Sequence, residues 1–147
     1  MSEIIRLLIA DDHVEMREKV VGTLEAEYSV VGAVSDGQQM LDLESRLRPD
    51  VVILDISMPV MNGIEAATRL KQRASTARII FLTIHDEPAY LRAALDAGGN
   101  GYVIKSRLAS DLCLSVREVM AGRLFVSPTI TGPLVQPLVK EAQIRLM

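Results

Sequence analysis

The sequence predicts an α/β fold, a doubly wound parallel sheet with helices on both faces. Three observations predict it. Short runs of branched apolar residues, such as Val51-Val52-Ile53-Leu54, read as strands buried on both sides. These runs alternate with stretches of helical periodicity, the pattern of a parallel sheet wound with crossover helices. Four of the runs end in residues that carry chemistry: Leu7–Ala10 in Asp11-Asp12, Val51–Leu54 in Asp55, Ile79–Leu82 in Thr83, and Tyr102–Ile104 in Lys105. Open α/β sheets bind ligands at the carboxyl ends of their strands, so three acids, a hydroxyl and an amine share one rim.

The elements follow in order. A strand over Ile4–Ala10 precedes a helix from about Val14 to Glu27. A strand over Ser29–Val34 precedes a helix over Gly37–Arg46, with Asp36-Gly37 as its turn or cap. The strand Val51–Asp55 passes through a loop with Pro59 and Gly63 to a helix ending near Arg73. Arg78–Thr83 is the fourth strand, and its helix spans Pro88–Ala97. Gly98-Gly99-Asn100-Gly101 stops that helix with residues that accept left-handed backbone. Gly101–Ile104 is the fifth strand and Ala109–Ala121 the fifth helix, closed by Gly122. Leu112, Val116 and Val119 form its apolar stripe with Cys113 and Met120, which makes Cys113 a core thiol rather than a reactive one. The common flavodoxin-like strand order, 2-1-3-4-5, is expected.

Composition sets limits. A chain of 147 residues suits one domain and a tail, and 49% hydrophobic residues suffice for a core although aromatics are only 3%. Residues 123–147 carry a net +2 and the rest a net −5, with none of the clustered Lys and Arg of a nucleic-acid surface. A single cysteine excludes an internal disulfide and fits a reducing, cytoplasmic setting. No apolar run approaches a membrane span, and Arg6 followed by Asp11-Asp12 excludes a signal peptide.

The tail differs in kind. Pro128, Gly132, Pro133 and Pro137 interrupt regular structure. Residues 1–127 are therefore read as the domain and 128–147 as a Pro-rich linker. The helical spacing of Val135, Leu138, Val139, Ala142 and Leu146 allows a short amphipathic helix from Pro137; a partly ordered terminus is the other reading.

In the order 2-1-3-4-5 the first and third strands are neighbours, which brings Asp11 and Asp12 beside Asp55. Clustered carboxylates repel, and a hard divalent cation relieves them; an all-oxygen set with few protein donors suits Mg²⁺. Strands four and five bring Thr83 and Lys105 to the same place. A carboxylate can attack phosphorus and form an aspartyl-phosphate, and Mg²⁺ with Lys105 could neutralise the charge.

These residues resemble a known family, the receiver domain of bacterial two-component response regulators. The resemblance covers about residues 4–127. It rests on Ala10-Asp11-Asp12-His13, on the run Leu54-Asp55-Ile56-Ser57-Met58-Pro59-Val60-Met61-Asn62-Gly63, on Thr83, and on Gly101-Tyr102-Val103-Ile104-Lys105. Phe81-Leu82-Thr83-Ile84-His85-Asp86, Lys105-Ser106 and Leu124-Phe125-Val126-Ser127-Pro128 look most like the NarL/FixJ subfamily. The resemblance implies that Asp55 accepts a phosphoryl group from a histidine kinase. It implies Mg²⁺ held by the side chains of Asp12 and Asp55 and the backbone carbonyl of Ser57, with Asp11 acting through a metal-bound water. Thr83 and Lys105 would hold the phosphoryl group, and Tyr102 would be the ring that reports the position of Thr83. Such a domain is a switch for transcriptional output and not an enzyme beyond its own phosphorylation and dephosphorylation. A homodimer is a possible partner state. DNA would be reached only through a C-terminal output domain, for which residues 128–147 are too short and insufficiently basic.

One departure stands out. Many receivers place a proline, in a cis bond, after the strand-five lysine; here it is Ser106, and a cis bond before a non-proline residue is costly. His13 reads as a neighbour of the acids rather than a ligand, and His85 as a group at the mouth of the site that can affect water access. Other readings stay open. A stand-alone receiver would act by protein contact or in a phosphorelay. A phosphatase of the haloacid-dehalogenase type would want a second Asp two residues after the nucleophile, where Ser57 stands. A flavin- or mononucleotide-binding module would want a phosphate-cradling loop after the first strand, where Asp11–Glu15 is acidic.

Overall fold

The computed structural model of the protein describes residues 4–146. Six parallel strands form one sheet: β1 (Arg6–Ala10), β2 (Ser29–Val34), β3 (Val51–Leu54), β4 (Arg78–Thr83), β5 (Gly101–Ile104) and β6 (Phe125–Val126), in the order β2-β1-β3-β4-β5-β6. Helices α1 (Val14–Leu24), α2 (Gly37–Leu47), α3 (Gly63–Gln72), α4 (Pro88–Asp96), α5 (Leu108–Met120) and α6 (Val135–Leu146) connect or follow them. The class and the first five positions of the order are those the alternating pattern predicts; the sixth strand was not expected.

The strand period of two sorts the core into two layers. Leu8, Ala10, Val52, Leu54, Phe81 and Tyr102 face α2, α3 and α4, where Met40, Leu41, Ala66, Leu70 and Leu91 are buried with them. Leu7, Ile9, Val51, Ile53, Ile80, Leu82 and Val103 face α1 and α5. Both layers are needed because a four-residue strand such as β3 is buried at every position.

β6 exists because β5 would otherwise be a bare edge, and unpaired edge backbone invites foreign pairing. Phe125 N–H donates to the Asn100 carbonyl at 3.1 Å and Ser127 N–H to the Tyr102 carbonyl at 2.9 Å. A two-residue apolar run is too short to show as a strand in sequence. The tail beyond it also packs: Ile130, Val135 and Ala142 are buried in the layer that holds α4. α6 starts at Val135, two residues before Pro137, and tolerates that proline because N–H groups of a first turn have no intrahelical partner. Among the described residues no helix is long and apolar enough to cross a membrane.

Candidate phosphoryl-acceptor site

Strand register builds the rim. Ala10 of β1 lies beside Leu54 of β3, so Asp11 and Asp55 leave the sheet together; Asp55 N–H donates to the Ala10 carbonyl at 3.0 Å. Leu54 lies beside Phe81 of β4, and Thr83 beside Ile104 of β5, which puts Lys105 one step beyond. Lys105 then turns back across the rim. Its ammonium lies 2.9 Å from Asp55 Oδ2 and 3.0 Å from Asp11 Oδ2. The first contact is a hydrogen bond, while the second is an ion pair that leaves Asp11 Oδ2 without an aligned donor.

Burial shapes the electrostatics. Asp11 and Asp55 are 2% and 5% exposed. Burial pushes the Asp55 carboxyl above its ordinary range, the neighbouring Asp11 charge adds to it, and the hydrogen bond and charge of Lys105 only partly offset this. Burial alone would lower the Lys105 ammonium, but its bonds to Asp55 and Asp11 outweigh that and hold it above its usual value. Lys105 is therefore a permanent cation set on the acid that would react.

The residues fit a small divalent cation. Ligand atoms from Asp11, Asp12, His13 and Asp55 all lie within 4.8 Å of one another. Asp12 Oδ1 is buried with no hydrogen-bond donor, whereas Asp11 Oδ2 already faces the Lys105 ammonium, and an unsatisfied buried carboxylate oxygen is costly unless a cation meets it. His13 Nδ1 stands 3.2 Å from Asp12 Oδ1 but its side chain is 71% exposed, in keeping with a neighbour of the acids. A hard oxygen-preferring ion draws on the carboxylates rather than the imidazole.

The loop between β3 and α3 frames the other side. Ser57 N–H donates to Asp55 Oδ1 at 3.3 Å, and Asn62 caps α3 through Glu65 N–H. Gly63 opens α3 so close to β3 that an added Cβ would stand 2.1 Å from the Asp55 carbonyl oxygen. A cleft of about 560 Å³ lined by Asp12, Ser57, Met58, Asn62 and Tyr90 opens on this side.

Thr83 is fully buried and accepts a hydrogen bond from His85 N–H at 3.2 Å. The His85 carbonyl accepts from the Tyr102 hydroxyl at 2.7 Å. The His85 ring sits 3.1 Å from Ser57 Oγ and stacks on Tyr90 with centroids 3.9 Å apart. Tyr102 is fully buried, with its phenol pushed above the ordinary range by burial. The ring read from sequence as a mobile reporter is thus enclosed, tied to the chain that leaves Thr83. Among the described residues no peptide is cis, and β5 passes from Ile104 directly into a 3₁₀ turn, Lys105–Arg107.

The family model for the response regulator receiver domain matches residues 7–117. The chain belongs to the response regulator receiver family. Its relatives make it a receiver domain of NarL/FixJ type. It is 35% identical over 134 residues to the transcriptional regulatory protein DegU of Brevibacillus brevis, covering 90% of this chain and 57% of that protein. It is 31% identical over 134 residues to the nitrate/nitrite response regulator NarL of Escherichia coli K12, covering 90% of this chain and 62% of that one. The chain thus spans about three fifths of the length of the curated relatives it matches. The crystal structure of a LuxR-family two-component response regulator from Aurantimonas sp. SI85-9A1 superposes with a TM-score of 0.84 at 30% identity, covering 97% of this chain and 99% of that one.

The roles of two residues, Asp111 and Ser127, escaped the sequence reading. Asp111, 2% exposed on α5, accepts from Arg107, Ser110 and Ser127, and Ser127 Oγ accepts in turn from Ile104 N–H. Neither has a local signal, because each acts through a partner on another element. Cys113 is half-buried, with its thiol pushed up by burial, as befits a core cysteine.

Proposed function

We propose that this receiver domain is a phosphorylation-driven switch whose acceptor is Asp55. The observation that carries the reading is the Lys105 ammonium held between Asp55 and Asp11 on a rim where the buried Asp12 Oδ1 has no hydrogen-bond donor. In the transfer, an Asp55 carboxylate oxygen forms a bond to phosphorus as the donor's bond to phosphorus breaks, and the leaving group takes up a proton. Lys105 and the Thr83 hydroxyl then meet the phosphoryl oxygens. Asp12, Asp55 and the Ser57 carbonyl are the proposed Mg²⁺ ligands, with Asp11 acting through a bound water. The ion, when bound, supplies charge neutralisation.

The donor we propose is a histidine kinase. The outcome is a change in the surface made by α4, β5 and α5, read by a second copy of the chain or by an output domain that carries DNA contact. Residues 1–127 form the receiver unit in this reading and 128–147 the joining segment. The test is incubation with acetyl phosphate and Mg²⁺ followed by intact-mass measurement. The chain is expected to gain one phosphoryl group, and Asp55→Asn none; labelling of that variant to the wild-type level would remove Asp55 as the acceptor.

A further inference from the structure

The Lys105 ammonium sits at the end of a flexible four-carbon stem, so its place depends on how the backbone beneath it is held. Two contacts define that place, 2.9 Å to Asp55 Oδ2 and 3.0 Å to Asp11 Oδ2. The pairing of β5 with β4 ends at Ile104, and the 3₁₀ turn Lys105–Arg107 follows. The turn carries Ser106 and Arg107 after the lysine, so no proline ring fixes its backbone. Leu108 N–H closes it by donating to the Lys105 carbonyl.

A single buried carboxylate ties both flanks of Lys105. On the strand side, Ile104 N–H donates to the Ser127 hydroxyl at 3.1 Å, and that hydroxyl donates to Asp111 Oδ2 at 2.8 Å. On the helix side, Arg107 Nε donates to the same Oδ2 at 2.8 Å. Arg107 Nη2 and the Ser110 hydroxyl donate to Oδ1 at 3.3 and 3.0 Å. Ser127 is itself held by its N–H on the Tyr102 carbonyl at 2.9 Å. Asp111 and Ser127 are both buried.

Helix stability does not account for this arrangement. An Arg–Asp pair four residues apart contributes little on a helix surface and needs no burial. Burying the carboxylate adds a desolvation cost, and apolar side chains of similar volume often serve a fold equally well. What the carboxylate adds is geometry. It fixes Ile104 and Arg107 relative to one another, with Lys105 between them.

We propose that Asp111, acting through Ser127 and Arg107, is a positioning residue for phosphoryl transfer, fixing the backbone on both sides of Lys105 so that its ammonium meets Asp55. This rests on the phosphorylation reading above. Asp111 itself touches no reacting atom. Without its carboxylate, Ile104 N–H and Arg107 lose their common anchor, and the Lys105 stem samples positions away from Asp55 and from the phosphoryl oxygens. Phosphoryl transfer depends on placed charge, and a misplacement of about 1 Å can cost on the order of a hundredfold in rate.

The test is a double-mutant cycle with Lys105→Ala, read in two ways. One is the initial rate of phosphoryl gain from acetyl phosphate with Mg²⁺, by intact mass. The other is the side-chain Cε–Hε NMR signal of Lys105, which Lys105→Ala assigns. Asp111→Ala and Ser127→Ala are expected to slow the reaction about tenfold or more, and to move the Lys105 signal toward those of the exposed Lys19, Lys71 and Lys140. Added to Lys105→Ala, either substitution should change the residual rate by less than about twofold. Ser127→Thr keeps the hydroxyl and should recover most of the rate. Ser115→Ala removes a buried hydroxyl of the same helix that donates to the Leu112 carbonyl, and should change neither readout. If Asp111→Ala loses its cooperative unfolding transition, Ser127→Ala, which leaves Arg107 and Ser110 on Asp111, carries the comparison. Unchanged rate and Lys105 signal in the folded variants overturn the positioning role, as does equal slowing with and without Lys105. No phosphoryl gain in wild type overturns the phosphorylation reading instead, whatever the Lys105 signal does.

Discussion

Asp11 Oδ2 and Asp12 Oδ1 are buried carboxylate oxygens without donors, and their situations differ. Asp11 has Lys105 3.0 Å away, while Asp12 has only the exposed His13 ring. Removing Asp12 therefore relieves repulsion without orphaning a buried cation. Asp12→Ala is expected to melt at the same temperature as wild type or slightly higher in EDTA. Mg²⁺ at about tenfold its dissociation constant should stabilise wild type by about 1.4 kcal/mol and the variant by much less. Calorimetric scans with and without the ion check this, and an equal Mg²⁺ response in both proteins would take Asp12 out of the ligand set. The acids, Thr83 and Lys105 were legible in sequence because each ends an apolar strand. The reason for Gly63 was not, since nothing local shows that α3 starts against the Asp55 carbonyl.

At the scale of elements, the clamp between α5, β5 and β6 is the feature sequence could not show. Asp111 sits in the first turn of α5, where an acid suits any helix, and Ser127 precedes a proline, so each has a sufficient local explanation. Only the sheet order brings them together. Burial alone would raise the Asp111 carboxyl, but hydrogen bonds from Arg107, Ser127 and Ser110 hold it below the ordinary range. Such a depressed acid stabilises the fold fully above the unfolded carboxylate value of about 3.9, and loses that contribution as pH falls through the folded value. Asp111→Asn should cost about 1–3 kcal/mol at neutral pH. In urea unfolding, the gap between wild type and variant should hold from neutral pH down to about 4 and narrow below it. A gap that does not change with pH would mean that the charge of Asp111 contributes nothing beyond its shape. The five-stranded order was legible for the opposite reason: β1 to β5 and their helices carry strong, repeated patterns, while β6 is two residues long and α6 follows a cluster of prolines.

At the scale of the whole molecule, the site and the α4–β5 face are joined by one short run of hydrogen bonds through backbone. Thr83 Oγ1 receives the His85 N–H, the His85 carbonyl receives the Tyr102 hydroxyl, and both partners of His85 are fully buried. Sequence could place Thr83 and Tyr102 on neighbouring strands but not His85 between them, because the link uses His85 main-chain atoms that any residue would supply. A phosphoryl group at Asp55 would accept from the Thr83 hydroxyl and draw it away from His85 N–H, so its arrival should loosen the His85 turn and free the Tyr102 hydroxyl. Thr83→Ala removes the acceptor of this chain while leaving Asp55, Lys105 and the acids in place. It is expected to gain one phosphoryl group from acetyl phosphate, to lose about 1–3 kcal/mol of stability through the unpaired His85 N–H, and to pass no change along the chain. Amide exchange over residues 84–106 measures this, comparing the difference made by beryllofluoride in Thr83→Ala with that in wild type. Wild type should respond across the segment and Thr83→Ala only at the amides next to Lys105. The same response in both proteins would mean that Lys105 and β5 alone transmit the signal and that the Thr83 hydroxyl is not the relay.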